Sequence, residues 1–456
     1  MSTYVPPEFE YEMPPSPEPV VVSRSEAYLT TPSDSYDTES NKILRFELTG
    51  TQMVDLSSIR MYADVQYQKG STAQDALAAR DYVVSNMGLF QSIELTTLSG
   101  TIIERIDDAN LLAVIMSHLC FSEAWSETSG SYSNSQKDIA LHKTAAGRFE
   151  INAHKLLGFL HTGKFIMPSL MGGGLRITFT LADAKKLIVL NTASGKLKLT
   201  LSNVKLHYDA CIMSQRYQEW FNRQYATQGF RIIWDSYQGH TQSSIKLSAT
   251  PTIQQFPIQV TAKRCKALVM VVRKTADTTP DPATPQTYSG AFLSSGFEGG
   301  SYQLDVAGVR YPPTAIDSYA RAHEEAVKVC YSNNDVQTEN IPLSRFSKDW
   351  AYDYPSDTSV VTEVTQNTTD KVVAVTNSTL KYVTDPLSRR QGQFIMCLDF
   401  EKYNSSGESG IVISPNSARV SLALKKAGDK DDYELASYLV RSQSLTVVGG
   451  QVVVDY

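Results

Sequence analysis

The residue types that usually carry chemistry occur in this 456-residue chain, but not at spacings that would let them act together. Its seven histidines (His118, His142, His154, His161, His207, His240, His323) form no H-x-H or H-E-x-x-H pair, so none has a second metal ligand at helix or strand spacing. Asp107-Asp108 sets two carboxylates side by side. Neighbours along a strand point apart, however, and acidic residues just before a helix are explained by the positive end of its dipole. Asp429-Lys430-Asp431-Asp432 lacks the alternating oxygen ligands, the glycine and the closing glutamate of a calcium loop. Met171-Gly172-Gly173-Gly174 lacks the Lys-Ser/Thr of a phosphate loop and leads into a strand-like segment, so it reads as a turn. Serine is abundant, but no G-x-S-x-G elbow holds one as a nucleophile. The sequence offers no catalytic, cofactor-binding or metal-ligating residue, and the expectation is a protein that is not an enzyme and uses no cofactor.

The remaining reactive groups read the same way. The five cysteines (Cys120, Cys211, Cys265, Cys330, Cys397) are scattered, odd in number and never spaced as C-x-x-C, which excludes a disulfide framework or zinc site. Each has apolar neighbours, as a reduced, buried thiol would. A formal net charge of -6 argues against a chain whose main work is neutralising phosphates; Lys185-Lys186 and Lys425-Lys426 are ordinary solvated pairs in strand-like sequence. No specific nucleic-acid binding is expected. The opening residues lack the basic and apolar regions of a signal peptide, and no run approaches the roughly 18 apolar residues of a membrane span. The sequons at Asn367, Asn377 and Asn404 are then polar loops without a glycan.

Periodicity says what elements surround these residues. With 42% hydrophobic and 20% charged residues the chain can bury large cores, and its length suits two or three units. Residues 1 to about 40, rich in Pro, Glu, Ser and Tyr, read as a flexible acidic arm, either a strap that docks a neighbouring subunit or minor protein or a dispensable tail. Its removal (residues 1–38) is expected to leave the fold intact and weaken assembly. From Leu44 the pattern has period two: Leu44, Phe46 and Leu48, then Ile59, Met61, Ala63 and Val65, alternate with polar residues. Similar strands follow at Leu89 to Ile103, Leu175 to Leu181, Leu197 to Leu201, Phe230 to Trp234, Ala267 to Val272, Tyr302 to Val306, Phe394 to Phe400, Val420 to Leu424 and Leu445 to Val454. Proline inserted at Val269 is expected to interrupt a central strand and prevent folding.

Helical pattern is confined to Ala109–Leu119 and to a longer stretch from Ala315 to Val329, with Thr314 as its cap and Ile316, Tyr319, Ala320, His323 and Val327 on one face. Long polar connections at Ser122 to Ala146, Lys274 to Ser301 and Ala351 to Lys371 suit exposed functional loops. The 24 tyrosines offer amphipathic contact area of the kind interfaces use.

One arrangement occurs twice, about 210 residues apart. The strand Phe90 to Leu95 leads through Ser99-Gly100 to Ile103, Ile106 and Asp107-Asp108, then to the short helix. The strand Ser301 to Val306 leads through Ala307-Gly308 to Val309, Tyr311, Ile316 and Asp317, then to the longer helix. Each half then passes a Pro turn (Pro168, Pro415), an alternating strand and a closing hairpin-like pair, Leu197 to Tyr208 or Leu445 to Val454.

In these features, and in Val54 to Ile59, Gln303 to Pro313 and Ser409-Gly410-Ile411, residues 40 to 456 resemble the double jelly-roll major capsid proteins. That group spans adenoviruses, virophages, polinton-like viruses, large algal DNA viruses and membrane-containing tailless phages. The resemblance implies an all-β fold of two tandem jelly-roll β-sandwiches with a few short helices: an arm at 1–40, a first jelly roll at 41–209 and a second at 210–456. It implies a virion protein assembled in the host cytoplasm or nucleus as homotrimers of pseudo-hexagonal outline, tiling an icosahedral DNA-virus shell. Partners would be neighbouring capsomers, minor capsid or penton proteins through the arm, and an internal viral membrane by contact alone. The alternatives are a β-sandwich attachment or carbohydrate-binding spike or minor capsid protein, which would be scarce in particles, and a β-sandwich hydrolase, which needs a paired-carboxylate cleft.

Overall fold

The computed structural model describes residues 20–69, 82–83, 86–119, 147–189, 197–227, 229–246, 250, 252–275, 300–332, 395–401, 410–424 and 432–455. The first half begins with β1 (Val21–Thr30), β2 (Ser35–Asp37), β3 (Ile43–Leu48) and β4 (Met53–Lys69). Next come β5 (Tyr82–Val83), β6 (Phe90–Thr97), β7 (Ile102–Asp107) and the helix Ala109–Leu119. It closes with β8 (Gly147–Ile151), β9 (Phe165–Ile166), β10 (Leu175–Leu181), β11 (Ile188–Val189) and β12 (Leu197–Met213). A linking helix, Gln215–Thr227, leads to β13 (Phe230–Lys246), β14 (Gln254–Ile258), β15 (Ala262–Lys274), β16 (Ser301–Val306) and β17 (Val309–Ile316). The helix Tyr319–Ser332 precedes β18 (Met396–Asp399), β19 (Ile411–Ile413), β20 (Ala418–Ala423), β21 (Asp432–Val448) and β22 (Gln451–Asp455).

Hydrogen-bonded order turns these strands into two copies of one architecture. The first half pairs a β1-β12-β4-β8 sheet with a β3-β10-β6-β7 sheet; the second pairs β13-β21-β15-β18 with β14-β20-β16-β17. Lettered B to I along each half, both read B-I-D-G over C-H-E-F, the eight-stranded jelly roll, with every ladder antiparallel. Alternation places one side chain in two between the sheets: on the inner face of the second sheet, Leu44, Phe46 and Leu48 of β3 lie beside Phe179, Ile177 and Leu175 of β10, and all are buried. The turn before each β7-like strand repeats as well, with Gly100 (φ 97°) and Gly308 (φ 88°) supplying a backbone conformation that a side chain opposes.

Several expectations need correction. The arm read over residues 1–40 holds ordered sheet from Val21: β1 pairs with β12 from Val21↔Met213 to Thr30↔Lys205, so it is the first strand of the first sandwich. Its residues are mostly exposed, which removes the alternation by which a half-buried strand is read. The first half ends at Met213, not at Asp209, because β12 is one 17-residue strand and not a hairpin; its counterpart is β21, and β22 has none. Val309–Ile316 is strand, so the later helix starts at Tyr319 with Ser318 as cap, whose Oγ accepts from the Arg321 N–H. Its buried face is Ala322, Ala326 and Val329. Lys185-Lys186 lie in a short helix, Ala184–Leu187. Lys425-Lys426, the three sequons, residues 1–19 and most of the long polar connections lie outside the described residues.

Candidate functional site: the joint between the sandwiches

Among the described residues, those weighed for chemistry form no reactive cluster. Among the described residues no group of three His, Cys, Asp or Glu could hold a metal ion. His154 is buried, and burial pushes its imidazole down to about 3, so it packs as a neutral ring. His207 contacts Glu26 on a strand surface, and burial lowers His240. His142 lies outside the described residues, as do Asp429, Lys430 and Asp431. Cys211, Cys265 and Cys397 are buried thiols outside any disulfide, and burial pushes the Cys265 thiol up. Met171 to Gly174 is a turn with three positive-φ glycines before β10. Asp107 and Asp108 diverge: the first pairs with Arg105, and the second accepts from Gln91.

Those same aspartates sit where the two sandwiches meet. Tyr438 of β21 donates its hydroxyl to the Asp108 carbonyl at 2.9 Å, joining positions 330 apart. Gly239 of β13 lies so near that a Cβ there would stand 3.2 Å from the Asp107 carbonyl oxygen. Beside them Glu104 of β7, 1% exposed, accepts the N–H groups of Gly158 (3.1 Å) and Phe159 (3.0 Å) and bonds the Ser236 side chain across the joint. Phe159 meets Trp234 edge to face at 5.1 Å, and a Cβ on Gly158 would fall 1.7 Å from the Asp235 carbonyl oxygen. Only glycine permits that approach.

Burial shows how large this joint is. β21 is buried at nearly every position, and β15 at every position from Cys265 to Arg273, so both faces of the sheet are covered. The charges trapped there are paired: Arg273 with Glu434, and Lys266 with Asp235 (2.8 Å) and Glu401 (3.5 Å). The helix Ala109–Leu119 at the joint is buried at Ala109, Leu111, Leu112, Ala113, Ile115 and Leu119. Sequence reasoning found the aspartates, the helix and the Gly turn but not their meeting with Tyr438, because no local pattern encodes a contact between strands so far apart.

The arrangement joins two like bodies through buried contacts. No protein-family model and no curated protein sequence matches the chain. Among solved structures it is similar to PBCV-1 VP54, with TM-score 0.56 and 9% identity over 98% of this chain and 99% of that one. It is similar to a chain of the Sputnik virophage structure (TM-score 0.53, 9% identity, 100% and 92% covered). The mavirus major capsid protein gives TM-score 0.52 and 9% identity, with 100% and 95% covered. At such identities the likeness is one of architecture, and with the strand order of both halves it establishes that this chain has the double jelly-roll fold of viral major capsid proteins.

Proposed function

We propose that the chain is a major capsid protein of a DNA virus, acting as a pseudo-hexagonal homotrimer that tiles an icosahedral shell. The observation that carries this reading is the repetition of a complete B-I-D-G over C-H-E-F sandwich within one chain. Six similar sandwiches tile like a hexamer, while threefold symmetry lets the two kinds differ at their contacts, and covalent fusion fixes their ratio. The likeness to the VP54 and mavirus proteins over nearly their whole lengths supports it. Function is then geometric, and no bond is made or broken. The virion is its location, and its partners are other copies of itself and the proteins at shell vertices. Quantitative protein analysis of purified particles tests this: the chain should be their most abundant protein, in multiples of three per shell. A few copies per particle would favour an attachment role instead.

A further inference from the structure

Within one chain the joint has two sides, and each side has a counterpart left open. The first sandwich contributes the corner where β7 ends in Asp107-Asp108 and the helix Ala109–Leu119 begins. The second contributes the outward face of its β13-β21-β15 sheet, where Tyr438 lies between Gly239 and Val269. The matching corner of the second sandwich is Asp317-Ser318, standing before the helix Tyr319–Ser332 as Asp107-Asp108 stands before the first helix. The matching face of the first sandwich is that of β1-β12-β4, where Lys205 lies between Thr30 and Tyr62. Thr30 and Gly239 fall at the same step along β1 and β13.

We propose that the Asp317-Ser318 corner and its helix dock on the outward β1-β12-β4 face of a second copy of this chain, with Asp317 meeting Lys205. This rests on the capsid reading above and names the contact that would close its ring. Continuity with the joint already present is the main argument, since a head-to-tail contact that repeats an internal one can close into a ring. Surface chemistry agrees. The first helix buries Ala109, Leu111, Leu112, Ala113, Ile115 and Leu119 within the chain, whereas the second keeps Ala320, Glu324 and Lys328 exposed opposite its buried Ala322, Ala326 and Val329. The sheet face in question is likewise open: Tyr28 is 56% exposed. Tyr28, Tyr62 and His207 cluster there, with ring separations of 5.7 Å (Tyr28 to His207) and 5.1 Å (Tyr62 to His207), an amphipathic platform suited to an interface. Lys205 reaches over the Tyr28 ring at 4.9 Å and forms no ion pair among the described residues. Asp317 is 69% exposed and, among the described residues, is paired with Arg321 at 3.7 Å. By this correspondence Lys205 takes the place of Tyr438 and Asp317 that of Asp107, next to the Asp108 position whose carbonyl Tyr438 reaches, so opposite charges stand beside the counterpart of the internal bond.

Sedimentation of the full chain tests the contact. Lys205→Glu and Asp317→Lys should each raise the concentration needed for trimers by about tenfold, and the two together should recover most of that loss, as opposed charges reunite. A cysteine pair, Lys205→Cys with Asp317→Cys, should yield covalent species of two and three chains under oxidation, while either single variant should not; this reads the contact even if charge reversal harms folding. Trimers in the wild type that ignore the reversals and give no covalent species would overturn the docking and leave the capsid reading standing. A wild type that stays monomeric at every concentration would overturn both.

Discussion

Glu104 shows what burial at the joint does to a single side chain. Enclosure pushes its carboxyl up to about 7, although two backbone N–H groups and Ser236 favour the ionised form. A carboxyl raised in the folded state binds its proton more readily there than in the unfolded chain. Its contribution is thus fully present below about pH 4.5 and is lost as pH rises through about 7, amounting to roughly 3 kcal/mol at most. Glu104→Gln, which keeps the shape without the charge, should gain in Tm relative to the wild type as pH rises through that window. Parallel Tm curves would show that the carboxyl does not titrate there. His154 acts with the opposite sign, since a histidine lowered to about 3 loses stability as pH falls below its ordinary 6.5, so the two groups must be separated by substitution and not by pH alone. Neither role was legible in the sequence: in Ile103-Glu104-Arg105-Ile106 nothing local marks Glu104 as buried, and its partners come from Gly158, Phe159 and Ser236.

At the scale of elements, legibility followed exposure. Strands with one wet face, such as β3 and β10, alternate in burial and were readable as period two. The duplicated strand, Gly turn, strand and helix were readable because turn and helix starts are local chemistry. β1 escaped because a mostly exposed edge strand carries no alternation, and the start of β21 because both of its faces are covered. The linking helix Gln215–Thr227 escaped too, though Ser214 as cap and aromatics at Tyr217, Trp220, Phe221 and Tyr225 were available signals. The joint itself depends on backbone approach, which predicts a sharp response to one methyl group. Gly158→Ala forces a Cβ into the Asp235 carbonyl, and the strain should lower stability by about 1 to 3 kcal/mol, visible as a reduced Tm. An unchanged Tm would mean that the sandwiches are less tightly locked than their contacts indicate.

For the whole molecule, two tandem sandwiches and their approximate spacing were legible, while their edges were not, because Pro-rich composition outweighed the strand that follows it. The correction changes what truncation should do. Deleting residues 1–19 leaves every strand of the described fold in place and should leave a soluble assembly. Deleting residues 1–38 strips β1 and β2 from β12, exposing the outer edge of the long strand, and should produce aggregation in place of trimers. Equal behaviour of both truncations in gel filtration would contradict the place given to β1. The central claim is that two like bodies per chain act as six in a closed ring. Electron-microscope class averages of the purified protein test it most directly: threefold particles with six lobes of similar size around the axis are the predicted result, and isolated two-lobed particles at every concentration would contradict it.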